Sequence, residues 1–161
     1  MTDKSSRTLT VSEPAAVPWL SVVFGYGPML PFVAGAMAAW GLGDPWGEAM
    51  LSLTGLWGCA ILLFLSGVRR GLSFRTEGGP TWVQIATMLG LFLLGFGGLV
   101  LLVLGEARFA LALLIAGFTG VAVLDPIAAR RGEAPLFFAR LRPVQIPIAI
   151  LSLCALFALT L

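Results

Sequence analysis

The chain has 161 residues, 58% of them hydrophobic and 11% charged, with no histidine and a formal net charge of +2 at pH 7; its mean hydropathy is +0.98. A soluble domain of this size carries about a quarter of its residues as charges, so the composition excludes an ordinary soluble domain. High apolar content excludes a disordered chain, and two cysteines are too few for a disulfide scaffold.

In chain order, residues 1–18 form a polar tail holding Asp3, Lys4, Arg7 and Glu13. Five apolar runs follow, each close to the roughly 20 residues that a helix needs to cross a hydrocarbon layer about 30 Å thick. They predict helices over about 19–42, 49–70, 82–104, 109–125 and 143–161, within one membrane domain covering 19–161. The runs are continuously apolar rather than alternating, which argues against a β-barrel. The reading is an all-α integral membrane protein, a bundle of five transmembrane helices.

Pro28 and Pro31 interrupt the first run. Each removes a backbone donor, so a kink is expected there, with the carbonyls of Phe24 and Gly27 freed. The run is too long for the core of a cleaved signal peptide. Asp125-Pro126 is expected to close the fourth helix. Pro143 is expected to open the fifth, where a missing N–H costs little. Trp19, Trp40, Trp46 and Trp82 fall at predicted helix ends, the headgroup level that suits an indole.

With five crossings, the tail, the second loop and the fourth loop share one side. That side holds Lys4, Arg7, Arg69, Arg70, Arg75, Arg130, Arg131, Arg140 and Arg142, and the other side holds Arg108. Basic loops stay cytoplasmic, so the N-terminus is expected inside and the C-terminus outside. The acidic residues in the tail do not suit a mitochondrial transit peptide. A multi-pass protein of a bacterial cytoplasmic (inner) membrane is the expected address.

Small residues recur at helical spacing: Ala34/Ala38, Gly35/Ala39, Gly67/Gly71 and Ala112/Ala116/Gly120, with Gly90, Gly95, Gly97 and Gly98 in the third helix. Such positions let backbones approach closely. Pro28, Pro31, Gly67 and Gly71 are therefore the candidate kink and packing residues. Whether the small faces meet within the chain, against a membrane-protein partner or in a homo-oligomer stays open.

With no histidine and only Cys59 and Cys154, no metal or haem ligand set is expected, and no cofactor. Nucleic-acid binding has no support, because the basic residues flank membrane helices. Every ionisable residue falls at or outside a predicted helix end, so ion coupling by this chain is not expected. Without a histidine or a metal ligand set catalysis is not expected either, lipid-phosphate chemistry with Asp125 facing the arginines being the remote alternative. One polar group is left, on the cytoplasmic side. Arg69, Arg70, Asp125 and Arg142 lie at helix ends, with Ser66, Ser73 and Gln145 near in sequence. Converging, they would make a structural ion-pair cluster or a site for an anionic lipid headgroup or small anion.

The segment Phe64-Leu65-Ser66-Gly67-Val68-Arg69-Arg70-Gly71 resembles the "SFLGGxRWG" signature of the transmembrane protein 69 family. Gly27-Pro28-Met29-Leu30-Pro31-Phe32 is similar to its "GLIPF" segment, Leu124-Asp125 to its polar break, and Phe137-Phe138-Ala139-Arg140-Leu141-Arg142 to its "WFxxLR" entry to the last helix. The resemblance implies the five-helix plan and singles out Pro31, Gly67, Arg69, Gly71, Leu141 and Arg142, with no assigned activity. Arg70 stands where that family has tryptophan, and Ser66 where it has glycine.

The expected function is a non-enzymatic accessory or assembly subunit that packs, within the lipid bilayer, against a larger membrane complex. The alternative is an anionic-lipid or small-anion binder, or passive carrier, using the arginines.

Overall fold

The computed structural model describes residues 17–76 and 79–161. Most of the polar tail, with Lys4 and Arg7, lies outside them. The described chain is helical, and five helices are long and apolar enough to cross a membrane: Trp19–Gly41, Trp46–Ser73, Trp82–Val103, Ala107–Arg130 and Phe138–Ala158.

The first span is broken where the prolines stand. Helix α1 (Trp19–Tyr26) passes through a 3-10 turn at Gly27–Met29 into α2 (Leu30–Gly41). Leu30 N–H donates to the Gly27 carbonyl, so the tightened turn takes up a carbonyl whose α-helical donor would have been Pro31. Nearby, the Trp57 indole N–H donates to the Pro28 carbonyl at 3.0 Å. A partner from the next span thus satisfies the bend, as backbone in lipid requires.

Helices α3 (Trp46–Ser73), α4 (Trp82–Val103), α5 (Ala107–Arg130) and α6 (Phe138–Ala158) supply the other spans. Thr81 caps α4: its hydroxyl accepts from the Gln84 backbone while the Gln84 side chain accepts from the Thr81 backbone. Helices α4 and α5 both end on a glycine with positive φ, Gly105 at 80° and Gly132 at 74°. The next amide reaches back in each case, Glu106 to the Leu101 carbonyl at 2.8 Å and Glu133 to the Ala128 carbonyl at 2.9 Å. Only glycine takes that backbone conformation without steric cost.

Two expected boundaries move. Helix α5 runs through Pro126 to Arg130, and α6 begins at Phe138, before Pro143 and Pro147, which both lie inside it. A proline removes one donor and crowds one carbonyl; a packed membrane bundle tolerates this inside a helix. Asp125 and Arg142 are consequently buried within helices rather than placed at their ends.

Helices α2, α3, α4, α5 and α6 form a closed ring, with α3 also meeting α5 across it. Phe32, Leu62, Leu114, Phe118, Ile146 and Leu153 fill the centre, all fully buried. Phe32 meets Phe118 edge to face, with ring centroids 5.4 Å apart, an arrangement favoured by the ring quadrupoles. Small residues set how close the helices come. A Cβ on Gly117 would run into the Leu62 side chain, and one on Gly35 into Thr54.

Candidate functional site

The three ionisable residues Arg69, Asp125 and Arg142 meet inside the bundle. Asp125 sits on the buried side of α5, between Val121 and Ala129. Its Oδ1 accepts from Arg69 of α3 twice, from Nη2 at 2.7 Å and from Nε at 3.1 Å. Its Oδ2 lies 3.1 Å from Arg142 Nε of α6. One carboxylate therefore holds one guanidinium on each oxygen. Side-chain exposures are 14% for Arg69, 8% for Asp125 and 9% for Arg142, so all three are withdrawn from solvent.

Burying charge costs several kcal/mol per ion, and the cost is met only where pairing and further hydrogen bonds are good. Arg69 has them: its Nη1 donates to Thr87 Oγ1 of α4 at 3.2 Å. The Thr87 hydroxyl is held in turn by the Val83 and Gln84 carbonyls of its own helix. Arg142 is served less well. Its Nη1 reaches Gln145 Oε1 at 3.4 Å, its guanidinium carbon lies 4.6 Å from the Phe138 ring centroid, and its Nε–H is not aimed at an acceptor. Gln145 Nε2 then donates to the Gly25 carbonyl of α1 at 2.7 Å. The polar chain Thr87, Arg69, Asp125, Arg142, Gln145 and Gly25 thus touches all five spans.

Arg70 does not join this cluster. Its Nη1 donates to Ser73 Oγ at 3.1 Å and its guanidinium lies 4.0 Å from the Phe74 ring centroid. Successive helical residues are about 100° apart around the axis, so Arg69 and Arg70 cannot both face Asp125. Of the serines near in sequence, Ser66 donates to the Met88 carbonyl at 3.0 Å and Ser73 to the Arg70 carbonyl at 2.8 Å.

The candidate packing residues divide. Pro28 and Pro31 shape the first span. Gly67 and Gly71 do not pack against the described residues of other helices: a Cβ added at either would meet nothing within 4 Å among them. Ala112 and Ala116 likewise face outward on α5, whereas Gly35, Ala39, Gly95 and Gly98 are buried between helices. Sequence reasoning passed over Thr87. Its signal was a hydroxyl in α4, where Gln84 is the other hydrogen-bonding polar side chain of an apolar run, near the end that carries the arginines.

The architecture of five spans tied by a buried charge cluster now has a family. The family model described as a protein of unknown function, DUF3429, matches residues 17–159. The chain belongs to the DUF3429 family. No curated protein and no solved structure matches it. The family match takes in the whole described bundle of this DUF3429 chain, triad included, and it fits the expectation of a helical membrane family without an assigned activity.

Proposed function

We propose that this multi-pass membrane protein is a non-enzymatic accessory or assembly subunit that packs against a larger complex in a bacterial cytoplasmic membrane. Its N-terminus would lie inside and its C-terminus outside, following the basic side of the chain. On the motif likeness at residues 64–71 and 137–142, we also place it with the transmembrane protein 69 proteins.

The observation that carries the reading is the Gly67/Gly71 pair on α3. A Cβ added at Gly35, Gly95, Gly98 or Gly117 would meet a side chain of a neighbouring helix, whereas one added at Gly67 or Gly71 would meet nothing within 4 Å among the described residues. Glycine weakens a helix relative to alanine by roughly 0.5–1 kcal/mol, and an outward pair at this spacing repays that cost where another helix comes close. The charge cluster supports the same reading: Arg69 is engaged by Asp125 and Thr87, and Asp125 by Arg69 and Arg142. They hold the bundle together rather than facing a substrate.

Purification at native expression level in nanodiscs, with proteins identified by mass spectrometry, tests this. A stoichiometric membrane-protein partner, lost in the Gly67→Leu/Gly71→Leu variant, is the expected result. A lone chain without a partner under the same conditions would overturn the reading. The alternative, an anionic-lipid or small-anion binder, is narrowed by the same pairing, since Arg69 and Arg70 are engaged within the chain and Arg142 keeps under-used donors.

A further inference from the structure

A cleft of about 230 Å³ lies between the first span, α3 and α6. Its walls are largely apolar: Phe24, Pro28, Phe64, Val68 and Phe138 line it, and Ser21, Arg142 and Gln145 form its polar part. Phe24 and Phe64 are 74% and 66% exposed, so the cleft opens at the outer surface of the bundle, where acyl chains run. It sits toward the end of the bundle that carries the α3–α4 and α5–α6 connections, with Arg69, Arg70, Arg75, Arg130, Arg131 and Arg140.

The charge balance is uneven at this place. Arg69 and Arg142 bring two positive charges and Asp125 one negative, which leaves one positive charge within the bundle. Glu133 lines small recesses beside Arg69 but makes no ion pair with it. The surplus is not shared equally. Arg69 has two donors on Asp125 and one on Thr87. Arg142, which lines the cleft, has five N–H donors; among the described residues it meets Asp125 with a misdirected Nε–H and Gln145 at 3.4 Å.

We propose that this cleft binds one anionic phospholipid, its phosphate oxygens accepting from the Arg142 guanidinium and one acyl chain lying against Phe24, Phe64 and Val68. A guanidinium matches phosphate geometry and is the side chain suited to such a contact at a membrane boundary. The apolar walls select a lipid over free phosphate, because a bare anion would leave them uncovered. Gly67 and Gly71 do not line the cleft, and lipid binding in it does not depend on a protein partner.

The test uses the full chain in mild detergent, incubated with equal amounts of phosphatidylglycerol and phosphatidylcholine of matched chains, with retained lipid counted by native mass spectrometry. One phosphatidylglycerol per chain is expected, preferred by about fivefold, the size set by one uncompensated cation near headgroups. Val68→Trp fills the apolar wall without touching the triad and should abolish that preference, while Leu93→Trp, on the exposed side of α4, should keep it. Arg142→Gln should also abolish it; if that variant does not fold, Val68→Trp still decides. Equal retention of the two lipids by the unmodified chain, or an unchanged preference in Val68→Trp, would overturn the proposal. So would thermal stabilisation by inorganic phosphate with no lipid retained.

Discussion

Asp125 holds Arg69 across the gap between α5 and α3 through a single oxygen, Oδ1, which accepts from both Nη2 and Nε of the guanidinium. The other oxygen is left for Arg142. One acidic side chain therefore serves two helices besides its own, and every ion pair in the described bundle depends on it.

Replacing Asp125 by asparagine keeps the shape and removes the charge, leaving two buried guanidinium groups facing each other. Removing one partner of a buried pair costs about 3–5 kcal/mol, and here both arginines lose theirs. The expected outcome is a large drop in thermal unfolding temperature in detergent. Arg69→Met/Asp125→Asn should be less destabilised than the sum of its single variants, a coupling of at least about 1 kcal/mol. Additive effects would mean that the pair is not formed.

Arg70 provides the contrast. It engages Ser73 and Phe74 on its own helix, so Arg70→Ala should change stability by no more than about 0.5 kcal/mol. Arg69→Ala, one residue away, should cost several times as much. Thermal scans of the two variants side by side check this directly.

Glycines should respond according to the direction they face. Gly117→Val must displace Leu62 from the centre of the bundle, and overpacking of this kind typically costs about 1–3 kcal/mol. Gly67→Val meets open space and should leave the isolated chain about as stable as before. Any loss that Gly67→Val causes should appear only in native membranes, where a partner is present.

The five spans were legible because a bilayer imposes a length and a polarity that nothing else in the chain imitates. The cluster was legible in part. Arg69, Asp125 and Arg142 stand out as charges on one side, but the side alone does not separate Arg69 from Arg70; only rotation about α3 does. The ends of α5 and α6 were misplaced because Pro126 and Pro143 read as boundaries, whereas each interrupts a single bond of a helix that continues. Gly67 and Gly117 look alike in sequence. Which one meets a neighbour is decided by packing, and so is the part played by Thr87, whose hydroxyl steadies Arg69 from the next helix.

The central claim is that the outward face of α3 is covered by another protein. Phe74 lies one turn from Gly71, is 64% exposed and does not line the lipid cleft, so a photo-reactive phenylalanine analogue can replace it with little disturbance. Irradiated in native membranes, it should give an adduct with a single protein species, weakened by Gly67→Leu/Gly71→Leu, while the same label at Leu93 gives none. Adducts with lipid alone at position 74 would contradict the account and leave the α3 face to the bilayer.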